Sequence, residues 1–423
     1  MTGQKEARLR LTLYVLLLVY ILNFLDRQIV GILAQPISKE LGLNDTQIGL
    51  MTGLAFALFY TGLGIPIARI ADRPSTSRVK VIALCLTAWS AMTMVCGAAG
   101  NFVQLFLARI GVGIGEAGGT PPAHSLISQL AGPEKRASAL SLYQLGPPLG
   151  GLIAMVMGGY LADTIGWRWA FVVVGAPGVV LALIVFAVLR DPRQDGVLPE
   201  GARESDPNLV EAFRNIWASR ANRLILVSVA FAATANYGML IWGPIYIQRT
   251  FGLSAGTTGL WFGLANGVGS ALGVWYGGVL GDRGIKRGKQ HLMTAPAICL
   301  ALCCPLLAAG LLSPDWRIAI LLFFPAIGLL WLHVGPAYSA VQGLVPNSSR
   351  ATASASILLM QNLFGLGLGS PLIGMLSDHY KADYGDDSVR IVLIGLVLVV
   401  TLAAAALQWR SRRYLPEELD RFE

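Results

Sequence analysis

The stretch ELGLNDTQIGL at residues 40–50 returns in altered form as TFGLSAGTTGL at residues 250–260. The same offset carries Ala71-Asp72-Arg73 onto Gly281-Asp282-Arg283. Further on, PAHS at 122–125 is echoed by PAYS at 336–339, and Arg136-Ala137 by Arg350-Ala351. The chain reads as two copies of one unit in the same orientation. Composition says what each copy is made of. Of 423 residues, 54% are hydrophobic and 13% are charged, against ~25% charged in soluble domains. Apolar runs of roughly 18 residues or more, the length a bilayer core demands, recur along the whole chain. About twelve stand out, near 11–34, 47–71, 79–99, 102–126, 137–162, 168–190, 222–248, 256–281, 291–312, 317–340, 351–377 and 389–409. The expected fold is an all-α polytopic membrane protein with about twelve transmembrane helices in two pseudo-symmetric six-helix bundles.

The longest polar interval, residues 191–223, separates the copies. It divides the chain into an N-terminal bundle (1–190), a cytoplasmic linker (191–221) and a C-terminal bundle (222–423). Within the linker, Leu209, Val210, Phe213, Ile216 and Trp217 share one helical face, which predicts a short amphipathic helix on the inner membrane surface. The formal charge of +8 does not signal nucleic acid. With both termini cytoplasmic, Lys and Arg are about fourfold more frequent on the inner side, as topology requires. The opening MTGQKEARLR leads into a run too long for a signal-peptide core. Asn44-Asp45-Thr46 is formally a glycosylation sequon, but NDTQ also matches a capping box that would start the second span.

Charge inside the spans carries the functional reading. Insertion scales put ~2.5–3.5 kcal/mol on each charged side chain at the midplane. Asp26 and Arg27 stand in the first span, Arg109 and Glu116 in the fourth. Asp26 and Arg27 are adjacent and point ~100° apart, so they cannot pair with each other. Arg109 and Glu116 lie on one face, ~10.5 Å apart along the axis. Helical rise places Arg109 level with Asp26 and Arg27, and Glu116 about two turns nearer the cytoplasm. The expectation is an upper charge cluster with a lone carboxylate below it. Intramembrane ionisable groups are functional by default. Two similar bundles that rock against each other would change the surroundings of such carboxyls, and with them their hold on a proton.

Asn236 occupies the position equivalent to Asp26 in the second copy. With Trp242, His333, Gln361 and Asn362 it forms the set expected to line a central cavity; for His333 a packed neutral histidine is the competing reading. The five cysteines, Cys85, Cys96, Cys299, Cys303 and Cys304, all fall within spans and read as small buried hydrophobes. No metal, cofactor or catalytic residue is expected, since no HExxH or GxSxG motif and no clustered His and Cys ligands occur. Gly113-x-Gly115-x-x-Gly118 follows no strand and sits mid-span, so it is not a dinucleotide site.

At these motifs the chain resembles the major facilitator superfamily over its whole length. The resemblance rests on ARIADRPSTSR (68–78), its echo GGVLGDRGIKR (277–287), ARIGVGIGE (108–116) and LGPPLGG (145–151). It implies gating roles for Asp72 and Arg73, and by the repeat for Asp282 and Arg283. NFLDR (23–27) together with RIGVGIGEAG (109–118) is similar to the spinster group of lysolipid and sphingolipid transporters. That similarity implies roles in proton coupling and headgroup binding for Asp26, Arg27, Arg109 and Glu116. Short termini and compact loops point to a bacterial member in the inner membrane.

The expected function is secondary active transport by rocker-switch alternating access, proton-coupled, of a lipid-like amphiphile such as a lysophospholipid or sphingoid phosphate. The expected partners are that substrate or an organic anion, protons and membrane lipids, with the protein a monomer. A proton-coupled symporter of small organic anions is the alternative. A non-transporting receptor or scaffold is the alternative of another class.

Overall fold

A computed structural model describes residues 3–73, 75–195, 209–346 and 349–420, and no strand occurs among them. The apolar runs read from the sequence lie largely in helix. Among the described residues, eight helical stretches are long and apolar enough to cross a membrane. Two of these, Ser138–Gln194 with 57 residues and Thr352–Ser411 with 60, are far longer than the ~20 residues one crossing needs. Each is interrupted near its middle by a glycine with positive φ, Gly166 (φ 81°) and Gly385 (φ 55°). Only glycine adopts that backbone without strain, so each stretch holds two crossings.

Contact clustering resolves two compact units. The first comprises Met1–Leu43, Ala55–Glu204 and Ser254–Leu260; the second comprises Asn44–Leu54, Ser205–Leu253 and Trp261–Glu423. The two segments that open the sequence repeat, 44–54 and 254–260, each cluster with the other copy's helices.

In the first unit, α1 (Gly3–Leu41) is followed by α3 (Ala55–Asp72), α4 (Arg78–Gly97), α5 (Phe102–Glu116), α6 (Thr120–Tyr143) and α7 (Gly146–Val188). Between α1 and α3 runs α2 (Asp45–Gly49), which continues into a π-helical turn, Leu50–Leu54, and belongs to the second unit. Side-chain caps set several starts. Asn44 accepts from Gln47 N and its own N–H donates to the Gln47 side chain, which completes the predicted capping box. Ser77 caps α4 and Asn101 caps α5. Two glycines of α5 set its distance from its neighbours. A Cβ on Gly113 would lie 2.9 Å from the Phe56 carbonyl oxygen, and one on Gly115 2.7 Å from Trp89 N. Their absence lets α5 touch the backbones of α3 and α4, as small residues allow in membrane helices.

The second unit holds α8 (Leu209–Ala218), α9 (Arg220–Phe251), α10 (Ala255–Arg287) from Trp261 onward, α11 (Thr294–Leu312), α12 (Trp316–Trp331) and α13 (Val334–Gly343). It continues through α14 (Arg350–Met360), a nine-residue π-helical stretch (Gln361–Gly369) and α15 (Ser370–Tyr384). It ends with α16 (Ser388–Val392), α17 (Leu398–Ser411) and α18 (Leu415–Asp420). The amphipathic linker helix is present as α8, but Ile216 packs into the core with Ala221, Ile225 and Leu344 rather than facing lipid. The side chains of Leu209, Val210 and Phe213 lie outside the described residues. Glu418 of α18 accepts from Arg220 N and Ala221 N (both 3.2 Å) and so caps α9, where a carboxylate also suits the helix dipole. Both units leave large apolar side chains exposed, Leu84 and Leu183 in the first and Leu321 and Val399 in the second. Such surface requires a lipid solvent.

Candidate functional site

α1 and α5 of the first unit bring together all four ionisable residues picked from the spans. Asp26, Arg109 and Glu116 are at most 1% exposed and Arg27 is 8% exposed. Arg27 donates to Glu116 Oε2 through Nε (3.0 Å) and Nη2 (2.7 Å), and Nη2 also reaches Asn23 Oδ1 (3.3 Å). Glu116 is therefore no lone carboxylate, which corrects the reading from helical rise. That reading counted backbone depth and left out the long arginine arm, which covers the offset. Arg109 donates instead to two α1 carbonyls, Asp26 O (3.2 Å) and Arg27 O (3.3 Å), and so fastens α5 to the middle of α1.

Asp26 does not share Arg27, as the ~100° between adjacent side chains demands. Its carboxyl lies toward the Trp89 indole and Arg109, and neither oxygen meets a hydrogen-bond partner among the described residues. Two buried acids thus stand in unlike settings. One is locked to a guanidinium, the other has no ion pair among the described residues.

An aromatic enclosure surrounds the pair and was not singled out from sequence. The Arg27 guanidinium carbon lies 4.5 Å from the ring centres of Phe24 and Phe56 and 4.7 Å from that of Tyr60. Desolvated contacts of this kind each strengthen cation binding by ~2 kcal/mol. The wall continues through Tyr20, stacked on Tyr143 at 4.4 Å, with His124 edge-on to Tyr143 at 5.3 Å. Tyr20, Phe24 and Arg27 fall at i, i+4 and i+7, one helical face, so the pattern was open to reading.

The residues nominated in the second copy fare differently. Trp242 is fully buried and donates from Nε1 to Ser370 Oγ (3.2 Å). His333 is 1% exposed, with Nδ1 2.8 Å from Leu330 O. Both are packed inside the unit in this structure, each with a polar atom against a neighbouring protein atom. A tryptophan or histidine in a span satisfies its polar atom against a neighbouring helix as readily as against a cavity. Asn236 keeps a buried Oδ1 without a partner among the described residues. Gln361 and Asn362 open the π-helical stretch, and Asn362 donates to Leu358 O (3.0 Å). Of the gating set, Arg73, Asp282 and Arg283 are exposed; the Asp72 side chain lies outside the described residues.

Two buried ion pairs away from this site escaped the sequence reading. Asp45 accepts from Arg249 Nη1 (2.9 Å) and Nη2 (2.6 Å) and from Ser377 Oγ (2.7 Å) within the second unit. Beside it Asp378 accepts from Asp45 N and from the Thr46 N–H and hydroxyl. In the first unit, Asp191 follows α7 and accepts from Arg78 N (2.7 Å), Nε (3.1 Å) and Nη2 (2.6 Å). Arg78 also donates to Ser125 Oγ and Gln129. Burial pushes the Asp191 carboxyl up, but hydrogen bonds from Arg78 and Arg193 and the Arg78 charge outweigh it and hold it below the ordinary carboxylate value.

Repeated helical halves, an apolar exterior and a buried charge cluster with an aromatic wall define an integral membrane transport protein. The sequence profile of the Major Facilitator Superfamily matches residues 16–366. The chain belongs to that superfamily. It is similar to an MFS-type efflux pump of Mycolicibacterium smegmatis, 34% identical over 96% of this chain and 94% of the relative. It is also similar to human protein spinster homolog 1, 27% identical over 90% of this chain and 76% of the relative. Among solved structures it matches a bacterial homolog of the human lysosomal transporter spinster in an inward-facing, unoccupied conformation. That match has a TM-score of 0.89, 30% identity and 99% coverage of both chains. The chain is an MFS transporter of the spinster type, and its relatives are transporters, not enzymes.

Proposed function

We propose that this transporter is proton-coupled and moves a lipid-like amphiphile with an anionic headgroup, such as a lysophospholipid or sphingoid phosphate, by rocker-switch alternating access. The observation that supports this is the buried Arg27–Glu116 pair in its aromatic enclosure beside the carboxyl of Asp26, which has no ion pair among the described residues. Fully ionised, Asp26, Arg27, Arg109 and Glu116 sum to zero charge. A proton taken up by Glu116 ends its ion pair and leaves the cluster net positive. Arg27 then offers its paired N–H groups to a phosphate, for which the guanidinium fork is well matched. Tyr20, Phe24, Phe56, Tyr60 and Tyr143 offer apolar surface to the adjoining chain. Proton loss restores the pair and displaces the anion.

Asp26 is the second exchange point and Arg109 the fixed countercharge. Asp72, Arg73, Asp282 and Arg283 gate access, and Asn236, Gln361 and Asn362 complete the polar lining. The protein acts as a monomer in a bacterial inner membrane with both termini cytoplasmic. At 100 mV one proton carries ~2.3 kcal/mol, enough to sustain about a 50-fold substrate gradient.

Proteoliposome uptake of a labelled lysolipid, set against small organic acids with and without a proton gradient, tests the reading. Gradient-dependent lysolipid accumulation is the expected result. Gradient-driven uptake confined to the small acids would transfer the assignment to an organic-anion symporter.

A further inference from the structure

A cavity of about 370 Å³ opens beside the start of α4 and the end of α7, away from the Arg27 cluster. Ser77, Lys80, Phe186, Arg190, Asp191 and Gln194 are among its lining residues. Lys80 and Arg190 are exposed, and neither has a carboxylate within ion-pair distance among the described residues. Arg8 joins them, donating from Nη2 to the Arg190 carbonyl oxygen (3.3 Å). The acid in the wall does not cancel this charge. Asp191 is 0% exposed and consumed by Arg78, itself 0% exposed, at 2.6 Å. Lys80 and Arg190 therefore bring to the wall positive charge that no carboxylate pairs among the described residues.

The rim is as informative as the wall. Phe186 on α7 and Leu84 on α4 are 61% and 71% exposed, part of the apolar surface that meets lipid. The cavity thus lies where hydrocarbon-facing side chains end and cations begin, at the headgroup level of the leaflet that the positive-inside bias makes cytoplasmic. Basic pockets at that level bind acidic headgroups, each cation strengthening the contact about fivefold.

We propose that this cavity binds the phosphate of an anionic phospholipid of the surrounding membrane, held by Lys80 and Arg190, its acyl chains lying along Phe186 and Leu84. Ser77 and Gln194 supply neutral polar contacts to the headgroup. The lipid is a resident ligand and not the cargo, since Arg27 and Glu116 take no part in holding it. Because Asp191, held by Arg78, is part of the wall, an occupied site braces the junction from which the linker departs.

The full-length protein is purified in a neutral detergent, loaded with phosphatidylglycerol, phosphatidylcholine or inorganic phosphate, and the retained ligand counted by native mass spectrometry. Wild type should retain phosphatidylglycerol over phosphatidylcholine, and excess inorganic phosphate should fail to displace it. Lys80→Ala with Arg190→Ala should weaken retention about 30-fold, as expected for two cations. Lys80→Arg with Arg190→Lys should restore it, which keeps the test open should the double alanine variant fold poorly. Equal retention by wild type and the alanine variant would overturn the proposal. Full displacement by inorganic phosphate would overturn the lipid assignment. Lysolipid uptake by the Arg27 cluster is a separate measurement, so failure of either reading is told apart from failure of the other.

Discussion

Asparagine in place of Asp191 tests whether the Arg78 clamp holds the end of α7 to the start of α4. Both side chains of the pair are 0% exposed, and Asp191 accepts three hydrogen bonds from Arg78 and one from Arg193 N (3.1 Å). An asparagine keeps one acceptor oxygen and turns an amide donor toward the guanidinium. Arg78 is then left buried without its countercharge. Breaking a buried pair from one side costs ~3–5 kcal/mol, and the lower figure applies here because the adjoining cavity admits water. For a unit of this size about 3 kcal/mol lowers the unfolding midpoint by roughly 6–12 °C. Lys135→Ala, which removes the half-exposed Lys135–Glu6 pair (3.0 Å), should leave no measurable shift, as surface pairs usually do.

The pH dependence supplies the sign. The folded Asp191 carboxyl is held below its ordinary value, so its contribution is fully present above the unfolded value of ~3.9. It is lost as pH falls through the depressed folded value. The difference between wild type and Asp191→Asn, followed by thermal unfolding in detergent, should be constant from pH 8 to 5 and shrink below about pH 4. An Asn variant as stable as wild type, or a difference that closes between pH 7 and 5, would refute the clamp.

Glu116→Gln removes the carboxylate but keeps the shape, so uptake should lose its dependence on the proton gradient; a retained gradient response would discharge Glu116 from coupling. Asp45→Asn strips Arg249 of its partner inside the second unit, at ~3–5 kcal/mol. Spin labels on the 44–54 segment and on α15 should show a broadened distance distribution, and an unchanged one would show that the pair holds nothing. Gly115→Val drives its Cβ to within 2.7 Å of Trp89 N and 2.9 Å of Trp89 Cα, neither of which can rotate away. Overpacking of ~1–3 kcal/mol should lower the thermal midpoint, whereas an unshifted midpoint would mean that α5 is free to slide.

What the chain disclosed before its structure depended on range. The Asn44 capping box is a four-residue pattern and proved present in both directions. The repeat and the spans are periodic over tens of residues and were equally legible. The partnership of Arg27 with Glu116 joins positions 89 apart, and that of Arg78 with Asp191 positions 113 apart. No local period connects such pairs. For the first, the cost of four charges inside the spans said that they must find partners, but helical rise set Glu116 about two turns from the other three, and the reach of the arginine was left out. For the second, Arg78 and Asp191 sat where loop charges are expected and nothing marked them as buried.

That contrast bears on what the Arg27 cluster is for. A buried ion pair is weak evidence of stabilisation, since apolar groups of similar volume often serve as well or better. Arg27 is the more telling because it is enclosed by Phe24, Phe56 and Tyr60. Those rings favour the cation whether or not Glu116 is ionised, so the site tolerates proton uptake by its acid without expelling the arginine. Asp26 adds a carboxyl with no ion pair among the described residues. A network built only to join α1 and α5 would need neither feature, because Arg109 already does so through two backbone carbonyls. Under the proposed mechanism the division of labour is physical: Arg109 holds the helices, Arg27 stays cationic, and the two acids beside it change charge state. The variant pair Arg109→Met and Arg27→Met separates the roles. The first should lower the unfolding midpoint; the second should abolish uptake and lower that midpoint less at acidic pH, where a proton on Glu116 relieves the carboxyl left without its cation. Equal thermal losses in both would place Arg27 among the struts and remove the physical basis for coupling.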